Sequence, residues 1–519
     1  MKMTTWKKIA SCVLSGLLLC SCVACDVKED STQRVLTEKE IVALGDKIPD
    51  YASSNEKFDF FAYSSLSDGT FEVGGVTYSV GEDFRTLERI EEYLESGLNI
   101  VMPQSTASVA VNAGEGFNFE RSDLKKVMDL TQEAGGKLIV TDYRLYAMVQ
   151  KDGSVGEGKL FENEEAIDAV VRKYMESYVN HPAFYGLQLC DEPDYWYFAG
   201  LGDVYKSIQR CYPGTKVFMN KLPPVTGIRV GDDEAFPVPT QEEKQAMLDQ
   251  GYSVNLAEFL ASWKKYLEMF LDATGAEYIM YDQYPLGSDY IGQTYVCGLQ
   301  IAAKLAKERN VDLILVSQTY TPDSANTRTL TEEDLRWLNN MSMGFGIDQI
   351  AYYTYWQRSE QTYCNAFMTY YGDKTSVYYD MQKILTENQK FAPVIKSFDY
   401  VTSGWFTQKF SSYDASHIQV CAKGSFAKIS DFVCDKETVL ISELYDNGNN
   451  RYMYMIQNAI DPAYKASTTY QTATMTFTES YAYAVVWKNG EQSVVKLVGN
   501  KYSVTQHPGE AVYVIPFNA

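Results

Sequence analysis

The stretch Phe184-Tyr185-Gly186-Leu187-Gln188-Leu189-Cys190-Asp191-Glu192-Pro193 is a short apolar run that stops abruptly at two carboxylates and a proline. A run this short, bounded by a breaker, reads as a buried strand rather than a helix. The amphipathic spacing of Glu164–Val179 precedes it, and the next short apolar run, Lys216–Asn220, follows some way downstream. Strands that alternate with helices belong to a parallel sheet whose faces the helices cover.

Working outward, the same unit recurs. Candidate strands fall at Phe58–Tyr63, Asn99–Met102, Lys137–Asp142, Phe184–Cys190, Lys216–Asn220, Tyr278–Tyr281, Leu313–Ser317 and Gln349–Tyr353. Helical spacing lies between them, as in Phe84–Ser96, Leu124–Ala134, Leu256–Ala273, Tyr295–Arg309 and Glu332–Met343. Gly97, Gly135 and Gly275 follow three of these helices, where a C-cap belongs. Eight units over residues 53–395 predict an α/β fold, a (β/α)8 TIM barrel. No Gly-rich phosphate turn marks a doubly wound sheet instead. Gly69–Gly81 reads as an inserted hairpin, and the proline-containing segment 220–255 as a long loop over one rim.

After about residue 396 the helical spacing stops. Short alternating runs take over, punctuated by Asp446-Asn447-Gly448, Lys488-Asn489-Gly490 and Pro508-Gly509. Asn-Gly between apolar runs is a hairpin signal, so residues 396–519 are expected to form an all-β sandwich. The ending Pro508–Pro516 resembles the last strand of the β-domains that follow bacterial glycoside hydrolase barrels. Residues 26–52 read as a linker with one short helix, opened by a capping box at Thr37 and Glu40.

Composition narrows the partners. The 519 residues carry a formal net charge of −22, which excludes a nucleic-acid backbone as partner. The 40 Tyr, 24 Phe and 7 Trp suit ligands that need a flat apolar face and a hydroxyl handle, as sugars do. Three well-separated His and scattered Cys without a C-x-x-C give no zinc cluster and no Ser-His-Asp set, so neither metal nor cofactor is expected. Cys421 and Cys434 are close enough in sequence to bridge within the last domain.

The first 25 residues form an address. Lys2, Lys7 and Lys8 precede the apolar run Ile9–Leu19, which is too short to span a bilayer. Leu19-Cys20-Ser21-Cys22 and Cys22-Val23-Ala24-Cys25 both resemble a bacterial lipobox. That resemblance implies a lipid on Cys22 or Cys25, an extracytoplasmic location and membrane attachment through the anchor only.

Barrel chemistry sits at the carboxyl ends of the strands. The residues there include Asp142, Tyr143, Asp191, Glu192, Asn220, Tyr281, Asp282, Tyr284, Gln318, Tyr320, Tyr355 and Trp356. Carboxylates, amides and rings without His are the inventory of glycoside cleavage. Two adjacent carboxylates repel, so one is expected to keep a proton and act as acid. Tyr143, Tyr195, Trp196, Tyr284, Tyr320, Tyr355 and Trp356 are candidate sugar platforms, and Asp142, Asn220 and Gln318 candidate partners for sugar hydroxyls.

Asp191-Glu192-Pro193 after the fourth strand resembles the family 123 glycoside hydrolases and, more distantly, the family 20 hexosaminidases. The resemblance implies that Glu192 is the general acid/base and that Asp191 orients the substrate's own 2-acetamido group. It gives Tyr281 or Tyr284 the role of holding that group. Met280-Tyr281-Asp282 is similar to the sixth strand of family 18 chitinases, and Trp356 to their strand-eight floor. The chitinase D-x-D-x-E is absent, with Gln188 and Cys190 at its Asp positions. A second reading pairs Glu192 with Asp282 in a retaining or inverting glycosidase, since the seventh strand offers Gln318 rather than Glu. A third is a non-catalytic surface protein that captures glycans.

Overall fold

The computed structural model describes residues 33–519 apart from 52–54, 151–154, 156–162, 226, 232–233, 288–290, 293, 324–327, 358–361, 406–424, 437–438 and 464–469. The leader with Cys20, Cys22 and Cys25 therefore lies outside the described residues, as does Cys421 of the expected bridge. Cys434 ends the strand Ile429–Cys434.

Eight parallel strands form the central sheet: β1 (Phe61–Tyr63), β2 (Ile100–Met102), β3 (Lys137–Thr141), β4 (Phe184–Asp191), β5 (Lys216–Asn220), β6 (Tyr278–Gln283), β7 (Asp312–Gln318) and β8 (Gln349–Tyr353). Neighbours pair in sequence order, and β8 pairs with β1. The remaining gap, between β5 and β6, is bridged just beyond β5 by Lys221, which pairs with Tyr281 and donates its N–H to the Met280 carbonyl at 2.9 Å. The sheet is thus a closed (β/α)8 barrel. Phe61, Ile100, Ile139, Phe218, Met280, Ile314, Val316 and Ala351 fill its interior, and the alternate residues of each strand pack against the helices.

The helices follow the apolar spacing, with two additions and one correction. Helices at Phe198–Cys211 and Ser376–Ile395 complete the outer ring. The first carries Gly202 where it crosses the helix Val254–Thr274, because a Cβ there would lie 2.3 Å from the Ala273 carbonyl oxygen. Within the segment read as loop, Gln241–Asp249 is helical and opens on a Thr240/Glu243 capping box, so local capping overrides the proline-rich approach. The hairpin expected at Gly69–Gly81 pairs Thr70–Val73 with Val76–Ser79.

The C-terminal part is a β-sandwich. A seven-stranded sheet faces a three-stranded one made of Ile429–Cys434, Gln471–Phe477 and Lys501–Gln506. Ile441, Tyr454, Ile456, Met475 and Val514 are buried in the core they share. Asn489 and Gly490 both have positive φ, 52° and 70°, as a two-residue hairpin turn between Tyr483–Lys488 and Glu491–Leu497 requires. The stretch read as linker corrects one expectation: Gln33–Val35 is an edge strand of the larger sheet, paired with Glu491–Leu497, while Glu38–Leu44 is the expected capped helix. Sandwich and barrel are clamped by Arg328, buried between Asp334 at 2.5 Å and Asp461 at 2.8 Å. Among the described residues no helix is long and apolar enough to cross a membrane.

Candidate active site

The geometry of the site begins with one extra residue. Along β4, Gln188 pairs opposite Phe218 and Cys190 opposite Met219, leaving Leu189 as a bulge. Simple alternation from Gln188 would turn Cys190 into the barrel and Asp191 away from it. The bulge shifts the phase. Leu189 and Cys190 both join the outer core, and Asp191 comes opposite Asn220 at the barrel mouth.

Asn220 ties two carboxyls together. Its Nδ2 donates to Asp282 Oδ1 at 2.8 Å and to Asp191 Oδ1 at 3.1 Å. Asp282 is hydrogen-bonded to Glu192, so Asp191, Glu192, Asn220 and Asp282 form one polar cluster drawn from β4, β5 and β6. Glu192 sits at φ 48°, in the left-handed region that costs a side-chain-bearing residue about 1–2 kcal/mol. Its N–H is anchored on the Asn220 carbonyl at 2.9 Å. A strained backbone held by its neighbours at a strand end is a hallmark of functional positions.

Electrostatics separate the three acids. Asp282 is only 3% exposed, and burial, with the nearby Glu192 charge next, holds its carboxyl well above the usual range. Asp191 and Glu192 reach solvent at the mouth. The protein around them still raises both: dehydration leads in each case, followed for Glu192 by the charge of Asp191. The hydrogen bond with Asp282 acts against this on Glu192 and favours the proton on Asp282. Two carboxyls coupled in this way titrate as a pair rather than singly.

Glu192 alone of the three opens onto a cleft of about 400 Å³, bounded by Asp194, Trp196, Leu222, Ile228, Arg229 and Glu234. The cleft lies over β4 and β5. Inside the mouth stands a group of four tyrosines. Tyr284 lies 5.3 Å from Tyr320 and 5.6 Å from Tyr353, and Tyr63 lies 6.0 Å from Tyr353, ring centre to ring centre. The Tyr63 hydroxyl is buried with no hydrogen-bond partner among the described residues, and it feels the charges of Asp191, Asp282 and Glu192. Sequence reasoning named Tyr284 and Tyr320 but missed Tyr63 and Tyr353. Their inward parity on β1 and β8 was the available signal.

Several expected site residues are placed elsewhere. Asp142 is fully buried and spent: it accepts from Arg144 Nη2 at 2.7 Å and Tyr178 at 3.0 Å, and caps the turn that follows. Tyr281 points out of the barrel against Trp263, at 5.2 Å, because the alternation that turns Asp282 inward turns it outward. The Gln318 amide is used up by the Leu286 backbone and the Tyr320 carbonyl, fastening the loop after β6 to the end of β7. Trp356 is 2% exposed, stacked on Phe84 at 4.9 Å and donating to the Ser65 carbonyl, so its face is not free for a sugar. Tyr355 is buried against Tyr93. Tyr143 stays at the rim, 36% exposed, and Trp196 borders the cleft as a platform should.

The pairing of Glu192 with Asp282 as retaining or inverting partners does not fit. Such pairs stand about 5–5.5 Å or 6.5–9.5 Å apart with the sugar between them. Here the two carboxyls are in direct hydrogen-bond contact and Asp282 is shut off from the cleft.

No family model matches the chain, and no curated protein matches it. Among solved structures, a family 39 glycoside hydrolase from Bacteroides cellulosilyticus WH2 is 9% identical, with 90% of this chain and 82% of that one covered and a TM-score of 0.45. An Anoxybacillus α-amylase is 10% identical, covering 91% and 99%, with a TM-score of 0.43. A GH30 endoxylanase from Clostridium papyrosolvens C71 is 12% identical, covering 90% and 97%, with a TM-score of 0.39.

Proposed function

We propose that this protein is a glycoside hydrolase of extracytoplasmic oligo- or polysaccharides and that Glu192 is its general acid/base. The observation that carries this is the placement of Glu192. A carboxyl raised by burial and by a neighbouring charge stands at the end of β4, facing a ring-bordered cleft, with a second, buried carboxyl that is raised further behind it. In the step proposed, Glu192 gives its proton to the glycosidic oxygen as the bond from that oxygen to the anomeric carbon breaks. The positive charge left on the sugar is met by an internal 2-acetamido oxygen, which Asp191 orients. Water then adds to the anomeric carbon and gives its proton back to Glu192, so the net reaction is hydrolysis.

Asp282 takes a supporting role, as a proton holder that sets when Glu192 is charged. The substrate-assisted route is favoured over a direct pairing of Glu192 with Asp282 because Asp282 is buried and does not border the cleft that Glu192 opens onto. We further propose that the leader is a lipoprotein signal and that Cys22 or Cys25 carries the anchor.

A panel of chromogenic aryl glycosides, with N-acetylhexosaminides included, tests the reading. Release of chromophore from an N-acetylhexosaminide, with other sugars slower, is the expected result. Silence across the panel together with measurable sugar binding would favour a glycan-capturing protein instead.

A further inference from the structure

Across the mouth from the Glu192 cleft, the loops after β1 and β8 build a second aromatic feature. The hairpin Thr70–Ser79 belongs to the β1 loop and Tyr370-Tyr371 to the β8 loop, and β1 and β8 are adjacent strands. Phe71 and Tyr78 are cross-strand partners, so they share one face of the hairpin. Phe71 stacks on Tyr370 at 4.3 Å and 25°, and Tyr371 lies 4.3 Å from Tyr370. The stack fastens the hairpin, which is too short to hold itself in water. It does not account for the outer pair: Tyr371 is 58% exposed and Tyr78 is 48% exposed. Val76 at the hairpin tip is exposed as well.

An exposed aromatic group of this kind marks a contact surface. Its charge indicates what fits. Residues 69–81 contain a single charged side chain, Glu72, and Asp68 and Glu82 flank the hairpin. The nearby cations are committed: Arg89 and Lys374 both pair with Glu92. A polyanion would be repelled, whereas an uncharged chain with flat apolar faces and many hydroxyls would meet both the rings and their phenols.

We propose that this ledge is a distal subsite for a neutral polysaccharide chain, gripping sugars several units away from the one at Glu192. The inference rests on the glycosidase reading and deepens it, because a ledge on the far side of the mouth serves only a substrate long enough to cross it. It predicts a preference for polymers over short glycosides.

Affinity electrophoresis of the full chain in gels containing neutral polysaccharides (mixed-linkage β-glucan, arabinoxylan, galactomannan, glycol chitin) tests it, with polygalacturonate and chondroitin sulfate as anionic controls. The Glu192→Gln background keeps any chain from being cut. Retardation by at least one neutral polymer is expected. The Tyr78→Ala/Tyr371→Ala pair should weaken it about tenfold, as the loss of two stacking rings would. Tyr78→Phe/Tyr371→Phe, which keeps the rings, should retain most of it. Melting curves check that all variants fold. Equal retardation of the alanine pair, retardation by anionic polymers only, or none at all would overturn the proposal. So would a dimer in sedimentation that the alanine pair dissociates, since the rings would then serve a second copy. Ledge-dependent retardation in a protein silent on every glycoside would sink the hydrolase reading and leave the ledge standing.

Discussion

Asp282 lies behind Glu192 and shares a hydrogen bond with it, buried where no substrate can reach while Glu192 opens to the cleft. This arrangement divides the work between two acids on neighbouring sides of the barrel. One faces the ligand; the other stores a proton and is steadied by Asn220.

Asp282→Asn and Asp282→Ala together probe this division. Asn offers an oxygen to Asn220 and an N–H to Glu192, so the contacts persist while the second titration disappears. Asp282→Ala removes the hydrogen bond that holds Glu192 down, so Glu192 should keep its proton to higher pH and the basic limb of the kcat/KM profile should move up, whereas Asp282→Asn, which still donates, should leave the limb in place. A limb that Asp282→Ala leaves unmoved would remove Asp282 from the proton economy of the site.

Asp282→Asn also makes a stability prediction whose sign follows from burial. The folded Asp282 holds its proton far above the unfolded value of about 3.9. The stability this group contributes is complete below that value and is lost as pH rises toward the folded one. The melting temperature of Asp282→Asn should therefore gain on the wild type as pH rises above the unfolded value, until the folded Asp282 ionises. A difference that stays constant with pH would contradict the assignment.

Tyr63 supplies a third check. Its hydroxyl is buried beside the carboxyls with no partner among the described residues. An unpaired buried hydroxyl costs about 1–3 kcal/mol. Tyr63→Phe should thus melt at the same temperature as the wild type or higher. Turnover should fall about tenfold if the phenol serves the reacting sugar. A clear loss of stability would show that the hydroxyl has a structural partner.

At the domain junction, Asp461→Ala takes one acceptor from the buried Arg328 and leaves Asp334 to hold it. A loss of about 3 kcal/mol in denaturant unfolding is expected, near the low end for breaking a buried ion pair. A change below about 1 kcal/mol would mean that the clamp adds little.

The leader is tested by growth in labelled palmitate. Label should enter the wild-type chain and vanish in the Cys22→Ser/Cys25→Ser pair, with the single variants showing which thiol carries it. A secreted, unlabelled product would contradict the anchor.

Much of the barrel was legible because parallel strands buried on both faces read as apolar runs between capped helices, and each of the eight candidate runs holds a barrel strand. The site was legible only in part. Asp191 and Glu192 stood out as the polar end of an apolar strand, but the Leu189 bulge that turns Asp191 toward Asn220 leaves no mark in propensity. Tyr281 and Asp282 could never share a face, and strand alternation was enough to say so. Asp142 followed a strand as a ligand would, yet Arg144 two residues on neutralises it. Gln33–Val35 escaped notice because three residues at a sheet edge gain their shape from a distant partner strand rather than from their own pattern.

The most direct test of the central claim is turnover by Glu192→Gln on the best aryl glycoside found for the wild type. The side chain faces solvent at the mouth, so the variant should melt at the wild-type temperature. Removing its proton should lower kcat by about 10²–10⁴-fold on a substrate with a poor leaving group. Turnover equal to that of the wild type, in a folded variant, would show that Glu192 is not the acid.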